Sequence, residues 1–440
     1  MSEKKIIKGF SRLTPQQKIE VVKDYFSESE KALKTLSSFR HPDSNIQELL
    51  SGISENTVSN FHLPYNVAPN FLINGRMYMV PMVIEESSVV AAASSAARFW
   101  AGNGGFSARV VNQLKNGQLH FLFSGNTSAL KTAMQEIEKF LRKHASPHTA
   151  KMEERGGGIR SIELKDCRNI IENYYQLNVS FDTTQAMGAN FINTCLEDFS
   201  EALGLYFASN KEFKEVKYEP LMAILSNYND QCLVEASVSC PAEMLESESK
   251  GLPPDEFARR MIMAVTIAEN DIYRATTHNK GIMNGVDAVI LATGNDYRAV
   301  EAGAHAWAAR SGRYRSLSSA SMENGHFVFS LRLPMAIGTV GGLTRLHPLA
   351  SLSLEMLGEP DSGELMMIAA CAGLANNYAA VRSLVTTGIQ SGHMKMHLSN
   401  ILMQLKAGPV ESSMIIKYFS KRKVSYREVS AYLDKIRQNK

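Results

Sequence analysis

The period of the apolar positions changes several times along the 440 residues, and each change marks a structural boundary. Residues 14–60 read as short helices, opened by Thr14-Pro15-Gln16-Gln17, an N-cap followed by proline at the first helical position. Residues 71–83 alternate and turn at Asn74-Gly75, which predicts a hairpin. A helix follows over 89–101. Its run of alanines and serines lets another backbone or a ligand approach closely, and Gly104-Gly105 stops it. Alternation resumes over 109–114 and 119–123 around Asn116-Gly117, predicting a second hairpin. Then come a helix with Leu130, Met134, Ile137, Phe140 and Leu141 on one face, strand-like runs at 159–164 and 175–181, and a helix carrying Phe191, Cys195, Phe199 and Leu203. Strand, strand, helix, strand, strand, helix describes a small α+β layer set into the chain.

Beyond about Asn227 alternating strands return, with Cys232 to Cys240 and Phe327 to Leu333 in phase, among alanine-rich helices. The first domain resumes there. The last fifty residues hold Gly392-His393-Met394 and then a helical, basic tail, which reads as a terminal subdomain. The expected fold class is α+β: a large helix-rich domain (1–110 and 225–390), an inserted four-stranded ferredoxin-like domain (111–224) and a helical C-terminal segment (391–440).

Composition narrows the class without choosing a chemistry. With 44% hydrophobic and 21% charged residues the chain can bury a large core. Its 47 basic and 44 acidic side chains are interspersed, so no nucleic-acid footprint is visible. Five irregularly spaced cysteines, without a CxxC pair, point to reduced thiols and to no metal site. No stretch reaches the roughly 20 apolar residues that span a bilayer, and no leader is seen, so a soluble cytoplasmic protein without a membrane partner is expected.

The densest polar constellation is Arg274, His278, Asn279, Lys280, Gly281 and Asn284, followed after the apolar 289–291 by Thr293-Gly294-Asn295-Asp296. Read as strand-like residues leading into a polar loop, it is a place for catalytic groups. An ammonium there stabilises the charge that develops on a carbonyl oxygen under nucleophilic or hydride attack. Asp296 is the carboxylate that would keep Lys280 charged. Judged by the loop alone, a structural ion pair is the default reading of the same residues. Glu85-Glu86 precedes a helix and reads either as a cap or as an acid facing a pocket. His393 suits proton transfer near neutral pH, as any histidine does. The glycines at 156–158 and 341–342 lack phosphate-loop spacing, so no Rossmann domain is indicated. Gln185-Ala186-Met187-Gly188-Ala189-Asn190 exposes backbone amides at a helix start, where a dinucleotide or a closely packed helix fits.

Four segments in order, Glu86 after Val80-Pro81-Met82-Val83, Arg274-Ala275-Thr276-Thr277-His278-Asn279-Lys280-Gly281, Ala292-Thr293-Gly294-Asn295-Asp296 and Gly392-His393-Met394, resemble class II 3-hydroxy-3-methylglutaryl-CoA reductases, the soluble bacterial form. The similarity runs from about Phe10 to the tail. It implies a large domain, an inserted nicotinamide-binding domain and a C-terminal flap, and reduction of HMG-CoA through mevaldehyde to mevalonate with release of CoA. It implies that Glu86, Lys280 and Asp296 form the catalytic network and that His393 protonates the departing thiolate. By the same resemblance Ser88, Arg274, Asn284, Asn377 and His397 line the acyl and CoA pocket, and Gln185, Met187, Gly188, Asn190 and Asn227 contact the cofactor.

This chain departs from the family at Gln185, where aspartate is usual, at Ser87, where proline is usual, and at Asn376, where glutamine is. Residues 147–155 face the cofactor ribose by this reading; His148, Thr149 and Lys151 favour NADPH, and Glu153 and Glu154 favour NADH. The expected cofactor is NADPH, with NADH the alternative. A homodimer or higher homo-oligomer is implied. Two other readings share the resemblance: the same enzyme run oxidatively with NAD in mevalonate breakdown, and a CoA-binding regulatory protein that has lost catalysis.

Overall fold

The computed structural model describes residues 6–388, 398, 401–419, 422 and 424–438. The chain divides into two compact units, Met1–Pro64 and Tyr65–Lys440. The first unit holds α1 (Pro15–Lys23), α2 (Ser29–Ser38) and α3 (Ser44–Gly52). Thr14 and Gln17 form the reciprocal capping box that the Thr-Pro start predicts, and the Asp43 side chain caps α3 through Asn45 and Ile46.

In the second unit β1 (Tyr65–Ile73) and β2 (Arg76–Val83) form the hairpin across Asn74-Gly75, both residues having positive φ as a tight turn requires. α4 (Val89–Ala101) buries Val89, Ala93, Ala96, Ala97 and Trp100. The next two strands are not a hairpin. β3 (Ser107–Gln113) and β4 (Lys115–Phe123) run on through a single residue into different sheets, too short a link for a reversal. The Asn116-Gly117 signal has another cause: Gly117 lies inside β4, opposite Val179 and Leu225, where a Cβ would meet Leu196 and Ile192 at 2.6 and 2.8 Å. The glycine admits a helix, not a turn.

The inserted sheet therefore starts at Lys115. β4 is followed by α5 (Thr127–Glu153), β5 (Gly158–Asp166), β6 (Tyr174–Asp182), α6 (Ala189–Ser209) and β7 (Tyr218–Leu225), in the order β5-β6-β4-β7, all antiparallel. This is the ferredoxin-like βαββαβ arrangement. β7 escapes the alternation signal because it is an edge strand with Leu221, Met222 and Ile224 exposed.

The chain then rejoins the larger part through β8 (Cys232–Pro241), α7 (Pro254–Asn270), α8 (Ile272–Ala292), α9 (Tyr297–Ala308), β9 (Ser318–Glu323), β10 (His326–Pro334), α10 (Leu343–Leu346), α11 (Pro348–Met356) and α12 (Ser362–Val385). β8 and β10 join β3 and β9 in a sheet of order β3-β8-β10-β9. α12 opens with an Asp361–Glu364 capping box and is buried along most of its length, at the centre of the larger core with α4, α8 and β8. The insert has its own core, and Leu398, Ile401, Ile415, Phe419, Val429 and Leu433 make a third, with helices Pro409–Phe419 and Tyr426–Gln438.

α8 and α12 meet through small residues. A Cβ on Gly285 would stand 2.3 Å from the Ala372 carbonyl oxygen, and one on Gly373 would stand 2.7 Å from Val286. Overpacking such a contact costs about 1–3 kcal/mol. Gly285→Ala is expected to lower the unfolding temperature of the larger core in scanning calorimetry; an unchanged transition would show that the helices can separate freely.

Candidate functional site

Lys280 stands on a helix rather than a loop, because residues 289–291, expected as a strand, continue α8. The Asp271 side chain caps its start, and its inner face buries Ala275, His278, Ile282, Val286 and Val289 at helical spacing. Thr276, Thr277, Lys280 and Asn284 are left on the outer face. The apolar run is continuous because the helix is buried on its remaining sides, and a short apolar run cannot tell that from a strand. Arg274 lies in the first turn and approaches His278 closely enough to oppose its protonation.

Lys280 Nζ donates to Glu86 Oε2 at 2.8 Å, joining α8 to the segment between β2 and α4, 194 positions away in sequence. The side chains are 62% and 37% exposed. Ser88, two residues on, has φ 89° and gives α4 no side-chain cap. A non-glycine residue held there stores backbone strain, a frequent mark of functional sites.

Asp296 follows α8 through a tight exit: Thr293 Oγ1 donates back to Val289, Gly294 takes φ 70°, and Asn295 N donates to Ile290. Its carboxylate caps α9 through Arg298 N and Ala299 N and pairs with Arg298 at 3.1 Å. The partner of Lys280 is thus Glu86, and no Asp296–Lys280 ion pair forms among the described residues. One helical turn beyond Asn284, Asp287 is held above the usual carboxylate range by burial and by Glu301 beside it.

Asn377 is buried, accepting from Ser318 Oγ at 2.7 Å and donating to the His278 carbonyl. Ser318 in turn shares a 2.6 Å hydrogen bond with His278 Nε2, and burial, with Arg274 second, pushes that imidazole down to about 3. This network ties β9, α8 and α12 from behind. His393 and His397 lie outside the described residues.

The cofactor candidates gather where β6 turns into α6. Gly188, φ 93°, is the N-cap of α6 and offers no side chain, and a Cβ there would strike Thr183 at 2.4 Å. The open amides fit an anionic or carbonyl oxygen, as a dinucleotide carries. Met187 and Asn190 flank this end; Asn227 lies apart, in the link from β7 to β8, its carbonyl against Gly303. Gln185 is spent inside the chain: its Oε1 accepts the first amide of α12, Ser362 N, at 2.6 Å. A neutral acceptor replaces the usual carboxylate without leaving that amide unpaired.

Three features escaped the sequence reading. Lys115, only 3% exposed, donates to Thr183 Oγ1 at 2.6 Å and to Ala186 O at 2.8 Å, with no carboxylate in ion-pair range among the described residues. Burial lowers its pKa from the ordinary lysine value. The signal was available, since Lys115 falls in the buried phase of β4 with Leu119, Phe121 and Phe123. Second, Gly338 comes so close to Met187 that a Cβ would stand 2.5 Å from its amide, Ala186 bridges Val340, and Gly338 N donates to Asn295 Oδ1. The cofactor turn and the Asp296 loop are thereby one assembly. Third, Ser318 had no motif to announce it.

Lys115→Met should take away the ammonium that clamps Thr183 Oγ1 and Ala186 O, leaving only the Thr183 Oγ1 to Ala186 O hydrogen bond, and speed amide hydrogen exchange at Met187 and Gly188 while the rest of the small sheet keeps its protection; unaltered exchange there would show that the turn holds itself. For His278 the folded pKa lies below the unfolded value of about 6.5, so its neutral burial favours folding above that pH and the advantage drains as pH falls towards 3. The stability difference between wild type and His278→Gln should shift against wild type over that window, measured by urea unfolding; a pH-independent difference would refute it.

Residues 14–398 match the family model described as Hydroxymethylglutaryl-coenzyme A reductase. The 3-hydroxy-3-methylglutaryl-coenzyme A reductase of Archaeoglobus fulgidus is 34% identical over 412 residues, 93% of this chain and 90% of that one. The probable reductase of Borreliella burgdorferi is 30% identical over 374 residues, 82% and 80% of the two chains. Among solved structures, the class II 3-hydroxy-3-methylglutaryl-CoA reductase of Streptococcus pneumoniae bound to NADPH in open conformations aligns with TM-score 0.70 at 36% identity, over 86% of this chain and 99% of that one. The chain therefore belongs to the hydroxymethylglutaryl-coenzyme A reductase family, in its class II branch.

Proposed function

We propose that this chain reduces 3-hydroxy-3-methylglutaryl-CoA to mevalonate and CoA in two steps at Lys280. The observation that carries the reading is the Lys280–Glu86 pair, an ammonium and a carboxyl 2.8 Å apart between α8 and the segment that precedes α4. A nicotinamide dinucleotide, when bound, supplies one hydride in each step, so two must be used per turnover. Its place is at the glycine-opened start of α6, with Met187, Gly188 and Asn190, and with Gln185 buttressing the turn from behind. NADPH is the preferred form, supported by its presence in the pneumococcal relative and by His148, Thr149 and Lys151 near the end of α5.

Lys280 stabilises the oxyanion that forms when the thioester carbon becomes tetrahedral, and preorganised donors of this kind contribute about 3–4 kcal/mol each. Collapse breaks the carbon–sulfur bond, leaving mevaldehyde and a thiolate, which takes a proton from His393. The second addition makes an alkoxide at the former carbonyl carbon. Lys280 holds that charge as before, and the proton arrives through the Glu86–Lys280 pair. Asp296 serves as a second carboxylate beside the lysine once substrate is in place, for which it must exchange its present partner, Arg298. Ser88, Arg274, Asn284 and His397 bind acyl and CoA groups, and the buried Asn377 holds His278 and Ser318 in place.

Exposure of Lys280 and Glu86 in the single chain calls for a cover, because an oxyanion donor loses its advantage in water. A second subunit supplies it, so the working form is a homodimer, in the cytoplasm where five free cysteines stay reduced.

Loss of nicotinamide absorbance on mixing HMG-CoA, NAD(P)H and protein tests the activity. Lys280→Ala is expected to lower turnover of both HMG-CoA and free mevaldehyde by roughly a hundredfold to a thousandfold. Near-normal mevaldehyde reduction in that variant would remove Lys280 from the second step.

A further inference from the structure

The outer face of the large sheet carries a cavity of about 570 Å³ that the reductase chemistry does not use. None of Glu86, Ser88, Lys280, Asn284 or Asp296 lines it, nor does any residue of the cofactor turn. Its floor is ordered by strand register. Ser107, Ser237, Ser330 and Ser319 stand opposite one another across β3, β8, β10 and β9, and the neighbouring row is Arg109, Glu235, Arg332. Trp307, at the end of α9, closes one side together with Arg310 and Arg315.

The charge in this cavity does not balance. Four arginines line it against two glutamates, Glu235 and Glu269. Glu235 already serves Arg109 at 2.8 Å and Arg332 at 3.2 Å, an ordinary cross-strand arrangement. Arg310 and Arg315 have no carboxylate in ion-pair range among the described residues. Arg310 is nevertheless fixed, its guanidinium 4.1 Å from the centre of the Trp307 ring and one nitrogen donating to the Trp307 carbonyl at 2.8 Å. Arg332 approaches the same ring at 5.9 Å. Burial depresses the Arg310 pKa, Tyr228 opposes that, and the like charges of Arg332 and Arg315 add to the depression. Arg310 and Arg315, which have no carboxylate partner among the described residues, thus share the cavity with Arg332, which is paired with Glu235.

We propose that this cavity is a binding site for a small phosphorylated molecule, its phosphate groups held by Arg310, Arg315 and Arg332 and by the serine row. Guanidinium forks match phosphate oxygens in pairs, and hydroxyls donate to the oxygens that remain. The volume exceeds that of a simple ion and falls within the range of small-molecule sites. The floor is ordered, because the Ser319 and Ser330 hydroxyls share a 2.9 Å hydrogen bond and Glu235 holds Arg332 at 3.2 Å.

Trp307 makes the site observable, since the only other tryptophan, Trp100, is fully buried. Inorganic pyrophosphate titrated into the full chain is expected to change tryptophan emission, and the change should vanish in Trp307→Phe. In the Arg310→Ala/Arg315→Ala variant, calorimetric affinity for pyrophosphate should fall at least tenfold while reductase turnover stays at the wild-type level. Arg315→Lys, which keeps the charge and loses the fork, should fall between. Undiminished affinity in the double variant would place the anion elsewhere and overturn the proposal, as would the absence of binding at millimolar pyrophosphate. Citrate binding as tightly as pyrophosphate would overturn the phosphate assignment.

Discussion

The near-contact of α8 and α12 is the constraint from which the rest of the molecule follows. Gly285 and Gly373 let two long helices approach until backbone meets side chain, and that approach orients α8 about its own axis. With one side committed to α12, the opposite side must carry Lys280 and Asn284 outwards. A helix packed at ordinary distance would be free to rotate by a fraction of a turn, and a lysine at radius would swing by several ångströms. Burial of His278 and Asn279 on the flanking positions removes that freedom, because His278 is hydrogen-bonded to Ser318 at the head of β9 and Asn279 to Arg315 and Leu317 just before it.

A second constraint joins the insert to this scaffold. Two links connect it, at Leu114 and at 226–231, and the start of β4 beside the first is bound to the second: Asn116 N donates to Asn229 Oδ1 and Asn116 Nδ2 to Asp230. Lys115, between these bonds and the cofactor turn, extends the junction to Thr183 and Ala186. From there Gly338 and Asn295 lead to the loop of Asp296. Dinucleotide and substrate sites are thus related through a few short contacts. A buried ammonium with only neutral acceptors is an expensive choice, and it fits a place where geometry matters more than stability.

Two local signals pointed away from the tertiary arrangement. Asn116-Gly117 carries the strongest local signal for a turn, yet the glycine answers to Leu196 and Ile192 of a helix about eighty residues on. The apolar 289–291 looks like a strand because nothing in a run of three residues distinguishes a buried helix from a buried sheet. In both cases the local code was sound and the tertiary neighbour overrode it.

By itself the sequence determined the elements whose cause is local: the Thr14 cap, the Asn74-Gly75 hairpin, the small-residue helix at 89–101 and the alternation of the large sheet. It also determined the family, since four separated motifs identify a chemistry without saying how they meet. Only the tertiary structure decided that Glu86 is the partner of Lys280, that Asp296 faces Arg298, and that Gln185 holds the start of α12. The reason is physical. Caps and turns are settled by residues three or four positions apart, whereas pairing across 194 positions depends on how two helices and a sheet pack, and packing is a property of the whole core.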